Sequence, residues 1–107
     1  MKPKTEISII VPLYNESRNL GELFSELDAA MVAYGKAYEV IFIDDGSTDD
    51  SCQVLLKIEE DKDYVHIISF KNNAGKAAAL EQGFKIAVGD KIVIFDCDLQ
   101  YDPNDIQ

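Results

Sequence analysis

The stretch that most constrains this chain is Ile92 to Gln100, IVIFDCDLQ, where an apolar run stops at two aspartates one residue apart. Four consecutive apolar residues, Ile92, Val93, Ile94 and Phe95, suit a strand covered on both faces, and the charge that follows marks its carboxyl end. Side chains alternate along extended backbone, so Asp96 and Asp98 point the same way while Cys97 points to the other face. Two carboxylates held that close repel unless a proton or cation sits between them. Hard oxygen donors suit Mg²⁺ or Mn²⁺, which commonly bind one or two carboxylates together with substrate phosphates. A bare Asp-x-Asp also serves simply as a strand-to-loop turn, because Asp is favoured there. The rest of the chain decides between the two readings.

From the amino terminus, Ile7 to Val11 forms a β-branched run that Pro12 is expected to end, since proline cannot donate to a sheet ladder. Leu20, Leu23, Phe24, Leu27, Met31 and Tyr34 then recur at helical spacing, with Gly35 placed for a left-handed end cap. The unit repeats. Tyr38 to Ile43 reads as a second buried strand, followed by Asp44-Asp45-Gly46-Ser47-Thr48, where Ser47 or Thr48 is placed to cap a helix carrying Val54, Leu55 and Ile58 inward. Tyr64 to Phe70 is a third strand, and the polar loop Lys71 to Lys76 leads to a third helix marked by Ala77, Leu80, Phe84 and Ala87, closed near Gly89. Strands alternating with helices at this spacing predict an α/β fold, a Rossmann-like, doubly wound, mainly parallel sheet of about four strands with three helices.

Ligands of such sheets gather outside the carboxyl ends of the strands. Those ends carry the unusual chemistry here: Tyr14, Asn15 and Glu16 after the first strand, Asp44 and Asp45 after the second, Lys71 to Lys76 after the third, and Asp96, Asp98 and Gln100 after the fourth. Each signal has a plainer explanation. Asp44 and Asp45 suit a helix amino terminus, Glu16 is a helix-start charge, Tyr14 covers a sheet edge as readily as it stacks on a base, and exposed Lys71 and Lys76 are ordinary solvated surface. His66, inside the third strand, reads as a half-buried structural histidine. Dinucleotide binding lacks its fingerprint, since PLYNES follows the first strand and no glycine precedes Gly21; a Walker A loop is absent as well. Without glycines to bring backbone amides to a pyrophosphate, a metal must meet the phosphate charge.

The formal charge of −10 disfavours unassisted binding to nucleic acid or to anionic lipid. No apolar stretch approaches the ~20 residues of a membrane-spanning helix. The amino terminus lacks a signal-peptide pattern, so a cytoplasmic location is expected. Cys52 and Cys97 lie in no CxxC or Cys/His cluster and are expected as free thiols.

Four stretches, IIVPLYNE (9–16), VIFIDDGSTDDS (40–51), NNAGKAAALEQGF (72–84) and GDKIVIFDCDLQYDP (89–103), together resemble the amino-terminal half of a family 2 glycosyltransferase of the GT-A fold. The narrower resemblance is to the polyprenyl-phosphate sugar transferases, the group of dolichol-phosphate mannose synthase and undecaprenyl-phosphate glucosyltransferase. Two positions depart from the commoner wording: Lys71 and Asn72 precede Asn73 where an Arg usually stands before the Asn, and Cys97 replaces an Ala between the aspartates.

The resemblance implies that Pro12, Leu13, Tyr14 and Glu16 line the base and ribose pocket, that Asp45 contacts the base with Asp44 supporting it, and that Lys76 and Asp96 belong to the nucleotide site. It implies that Asp96, Asp98 and Gln100 hold Mg²⁺ or Mn²⁺ on the diphosphate of a UDP- or GDP-linked sugar. Family members are inverting, and their general base, acceptor site and lipid-contacting segments come from chain beyond residue 107. The expectation is therefore one donor-binding domain over 1–107 that reads as cut rather than finished, inactive alone, from a parent at the cytoplasmic face of the membrane acting on polyprenyl phosphate. The alternative is a non-catalytic nucleotide-binding or assembly module completed by a second copy or a partner. An uncovered fourth strand favours self-association, so a homo-oligomer is expected.

Overall fold

The computed structural model describes residues 4–60 and 62–95. Seven elements follow in order: β1 (Ile7–Leu13), α1 (Ser17–Tyr34), β2 (Tyr38–Asp44), α2 (Ser51–Glu59), β3 (Val65–Ser69), α3 (Lys76–Ile86) and β4 (Lys91–Ile94). The strands form one sheet in the order β3-β2-β1-β4, and every pairing is parallel. This is the expected α/β architecture.

The two faces of the sheet separate by residue parity. Ile7, Ile9, Val11 and Leu13 of β1, Val40 and Phe42 of β2 and Val65 of β3 pack with Leu20, Leu23, Phe24 and Leu27 of α1 and Leu55 of α2. On the opposite face Ile10, Ile41 and Ile43 pack with Ala79 of α3. Helices α1 and α2 thus cover one face, and α3 crosses the other on its way from the β3 edge to the β4 edge. Because β2 and β4 lie on opposite sides of β1, the connections diverge between β1 and β4, which makes a crevice at their carboxyl ends.

Four expectations need correction. Pro12 does not end β1, which runs on to Leu13 in register with Asp44. The carbonyls of Glu6 and Ile10 accept from Lys91 and Phe95 on the β4 side, whereas the Leu13 carbonyl accepts from Asp45 on the β2 side. Pro12 shares the parity of Glu6 and Ile10, so its missing N–H costs no bond between β1 and β2. Tyr34 is 57% exposed rather than part of the apolar face. At 1.5 Å per residue α1 is about 27 Å long, against roughly 23 Å for the strand it covers, so its last turn overhangs the sheet.

Helix α3 turns Ala79 and Gly83 to the sheet and leaves Phe84 47% exposed. A Cβ on Gly83 would lie 2.7 Å from Ile10 Cγ2 and 2.8 Å from Ile43 Cδ1, so a glycine there lets the helix axis approach the sheet closely. Finally, β4 is not covered on both faces: Ile92, Val93, Ile94 and Phe95 are 44%, 45%, 46% and 39% exposed. Among the described residues it is an edge strand, and the helices pack on β1, β2 and β3 rather than on it. Among the described residues no helix is long and apolar enough to cross a membrane.

Candidate functional site

The loop after β1 turns on Asn15, the one non-glycine among the described residues with a positive φ, at 53°. Asn tolerates that left-handed conformation because its short side chain bonds locally. Here it bonds across to the next loop. Asn15 Oδ1 accepts the amide hydrogens of Thr48 (2.8 Å) and Asp49 (3.2 Å), Nδ2 donates to Thr48 Oγ1 (3.2 Å), and the Asn15 amide donates to Ser47 Oγ (2.9 Å). The amide of Glu16 donates to Ser51 Oγ at 3.1 Å, and Ser51 Oγ donates in turn to Asp49 Oδ1 at 2.5 Å.

Ser47 and Thr48 are therefore spent on Asn15 and do not cap α2, which begins at Ser51; its N-cap residue Asp50 makes no side-chain cap bond, and the Asp49 carboxylate takes the Ser51 amide at 2.9 Å instead. Burial works to raise the Asp49 carboxyl, but hydrogen bonds from the Ser51 hydroxyl and amide and from Ser17 outweigh it and hold the group below its ordinary value.

The loop after β2 is joined to the loop after β3 in the same way. Asp45 is 6% exposed, and its two carboxylate oxygens accept the amides of Ala74 (2.7 Å) and Gly75 (3.0 Å). Asn73 Nδ2 donates to the Asp45 carbonyl at 3.3 Å. Between them, Gly46 has φ 76°, and a Cβ there would stand 2.5 Å from backbone atoms of Asn72 and Asn73. The third loop thus rests on the second, backbone against backbone, and only glycine permits both the angle and the approach. Asp44, 3% exposed, accepts from the Ser47 amide at 2.9 Å, a turn made by the side chain.

The sequence-derived residues fall into three groups. Pro12 and Leu13 are buried at the end of β1, while Tyr14 is 44% exposed beside them and Glu16 accepts from Asn19 Nδ2 at 2.9 Å. Asp44 and Asp45 lie one strand away, at the matching end of β2, and Lys76 opens α3. Asp96, Asp98, Gln100 and Cys97 lie outside the described residues; the described chain ends at Phe95, whose amide donates to the Ile10 carbonyl at 2.9 Å. Among the described residues no group of three or more His, Cys, Asp or Glu is arranged to hold a metal ion. Cys52 is a free thiol.

The sequence places Asn15 among the carboxyl-end residues without giving it a role in the site, and it singles out neither Ser51 nor the amides of Ala74 and Gly75. Asn15 carried a usable signal, an Asn in the turn between a strand and a helix. The amides carry none, because a backbone N–H is the same at every residue.

Taken together, three loops are tied into one rim at the carboxyl ends of β1, β2 and β3, on the same end of the sheet as the divergence of connections between β1 and β4. The rim offers an exposed aromatic ring and several carboxylates, with a lysine at the start of α3. Carboxylates repel a diphosphate, so an anionic ligand of this rim needs a cation.

Comparison with known proteins agrees with this geometry. The family model for glycosyl transferase family 2 matches residues 8–107. An undecaprenyl-phosphate 4-deoxy-4-formamido-L-arabinose transferase from Salmonella paratyphi A is 41% identical over 106 residues, 97% of this chain and 32% of that protein. The chain thus spans about a third of the length of the curated relatives it matches. Among solved structures, a mannosyltransferase from Pyrobaculum calidifontis in complex with GDP-Man and Mn²⁺ superposes with TM-score 0.74 at 26% identity, covering 90% of this chain and 28% of the other. Glucosyl-3-phosphoglycerate synthase from Mycobacterium tuberculosis, with Mn²⁺, UDP and glucosyl-3-phosphoglycerate, superposes with TM-score 0.65 at 25% identity, over 89% and 34%. With the family model running through almost the whole chain and the sheet matching these neighbours, the chain belongs to glycosyl transferase family 2.

Proposed function

We propose that this chain is the donor-binding part of an inverting sugar transferase, which takes a UDP- or GDP-linked sugar with Mg²⁺ or Mn²⁺ and serves an enzyme whose acceptor is polyprenyl phosphate. The observation that carries the reading is the interlocked rim at the carboxyl ends of β1 to β3, set beside the divergence of connections between β1 and β4. The Mn²⁺ complexes of the two structural neighbours support the metal, and the named acceptor of the Salmonella relative supports the lipid phosphate.

In this reading Tyr14 covers the base, with Pro12, Leu13 and Glu16 completing the base and ribose pocket. Asp45 holds the third loop in place, and since a carboxylate has about four acceptor sites it retains capacity for a base N–H. Asp44 fixes the turn that aims Asp45, and Lys76 faces the nucleotide from the start of α3. Two carboxylates and an amide oxygen, from Asp96, Asp98 and Gln100, form a hard-oxygen donor set that fits Mg²⁺ or Mn²⁺. When bound, such an ion neutralises the charge of the departing nucleoside diphosphate as a Lewis acid.

Calorimetric titration of UDP and GDP, with and without Mn²⁺, tests this. One nucleotide should bind in a Mn²⁺-dependent manner, and an Asp96→Ala, Asp98→Ala double variant should lose that dependence. No Mn²⁺-dependent binding of either nucleotide would remove the donor-binding reading for this chain. A second reading, an assembly module completed by another copy, is favoured by the exposure of Ile92 to Phe95 on the edge strand. Sedimentation of a monodisperse monomer at micromolar concentration would count against it.

A further inference from the structure

At the end of the sheet opposite the rim, β2 carries a buried acid that the proposed function does not use. The Glu39 side chain is only 7% exposed. Its Oε2 accepts from Ser8 Oγ at 2.6 Å and from the Val88 amide at 2.8 Å, and its Oε1 lies 3.3 Å from His66 Nε2. Ser8, fully buried, accepts in turn from the Gly89 amide at 2.7 Å. A Cβ on Gly89 would stand 2.6 Å from the Ser8 nitrogen, so the chain passes over β1 at a separation that only glycine allows. One carboxylate therefore joins β2, β1, β3 and the lead-in to β4.

A buried carboxyl is tolerated when its oxygens are hydrogen-bonded, and here the bonds from Val88 to Glu39 and from Gly89 to Ser8 tie the chain that leads into β4 to β2 and β1. Register in a sheet is ordinarily specified by an apolar pattern with one buried face. In β4 that signal is missing. After Lys91, the run Ile92, Val93, Ile94 and Phe95 is all apolar and between 39% and 46% exposed, so over that run a slip of one residue exchanges one apolar side chain for another on both faces. The ladder to β1 spans four residue pairs, Ile7↔Lys91 to Ile10↔Ile94, and a one-residue slip that set Ile92 to Phe95 against Ile7 to Ile10 would keep four pairs. What distinguishes the observed register is the anchor at Val88 and Gly89.

We propose that Glu39, with Ser8, is a register latch for β4, and that through β4 it acts as a positioning residue for the acidic segment that follows Phe95. A one-residue slip would move that segment by about 3.3 Å and turn it to the other face. The latch stands on the geometry alone; its positioning role rests on the reading of Asp96 and Asp98 as metal ligands.

The experiment pairs amide hydrogen exchange with Mn²⁺-dependent nucleotide titration in Glu39→Ala, Glu39→Gln and Ser8→Ala. In Glu39→Ala the Lys91 and Phe95 amides, which bond to Glu6 and Ile10 of β1, should exchange roughly ten-fold faster. The Asp45 and Phe70 amides, in the central ladders, should keep their protection. Mn²⁺-dependent affinity should fall roughly ten-fold, with the metal-free affinity unchanged. Glu39→Gln should restore both, since its amide oxygen can accept from Ser8 and Val88 while its NH₂ faces His66. Ser8→Ala, the milder change, should loosen the same two amides if Glu39→Ala does not fold.

Wild-type exchange of Lys91 and Phe95 in both Glu39→Ala and Ser8→Ala would overturn the latch, as would equal loosening of Asp45 and Phe70. Loosened β4 with wild-type Mn²⁺ dependence would overturn the positioning role. If the unaltered chain shows no Mn²⁺-dependent binding, the donor reading itself fails, and exchange still decides the latch.

Discussion

Two strands of this sheet have nearly the same sequence and opposite surroundings. Val40-Ile41-Phe42-Ile43 of β2 is completely buried, whereas Ile92-Val93-Ile94-Phe95, at and just beyond β4, is 39% to 46% exposed. Both runs end in aspartate. The difference is position: β2 lies between β1 and β3 with helices on both faces, while β4 is the outer neighbour of β1. Apolar content therefore dictates that a segment forms a strand, and the order of strands dictates how much that segment contributes to stability. The same contrast extends to the loops. Those after β1, β2 and β3 are bound to one another, so the proposed nucleotide side of the site is preorganised by the best-packed part of the molecule. The proposed metal side hangs from the least-packed strand.

The largest test of this contrast is a pair of truncations. Phe42 contacts Phe24 across the core at a ring separation of 6.1 Å, and Phe42→Ala should cost about 3–5 kcal/mol in denaturant unfolding. Phe95→Ala should cost under about 1 kcal/mol, because its ring is already 39% exposed. Equal losses would break the comparison. Next in size, Gly46→Ala forces a Cβ against the Asn72–Asn73 backbone at a positive φ, and should cost about 2–3 kcal/mol. It should also raise the exchange of the Ala74 and Gly75 amides held by Asp45.

Asn15→Ala removes the staple between the first two loops and should cost about 1–2 kcal/mol; Asn15→Gly, which keeps the backbone angle, should cost less. Unfolding midpoints give both values.

The smallest effects are those of pH. Burial, with the neighbouring Asp28 carboxylate and Tyr64, pushes the Tyr38 hydroxyl far above its ordinary value of 10.0. Tyr64, which also donates to Asp28, is raised as well. A raised pKa means that the neutral tyrosines stabilise the fold fully below pH 10 and that this contribution is lost as pH rises beyond it. Asp49 has the opposite sign. Held below its ordinary 3.8, it contributes stability that is present above that pH and is lost as pH falls through the folded value. Asp49→Asn should flatten that acid limb, and Tyr38→Phe the alkaline one, in pH-resolved unfolding curves.

The element order and the helix-strand alternation were legible in the sequence because periodicity is a local property: Leu20, Leu23, Phe24 and Leu27 recur on one face whatever lies opposite. So were the carboxyl-end residues, since strand ends are marked by the change from apolar to charged. What could not be read was which polar groups would meet. Ser47 and Thr48 looked like helix caps and instead bind Asn15, 32 and 33 residues away. Asp45 looked like a ligand contact and in this structure holds the amides of Ala74 and Gly75.

By itself, then, the sequence determined the parallel α/β alternation, the family, and the placing of acidic and aromatic residues at the carboxyl ends of the strands. Tertiary structure alone decided that β4 is an exposed edge, that α3 turns Gly83 rather than Phe84 to the sheet, and that Glu39 and Ser8 anchor the start of β4. The physical reason is range. Strand and helix propensities act over a few residues, whereas burial, close backbone approach and hydrogen-bond partnership depend on chain segments that folding brings together from far apart.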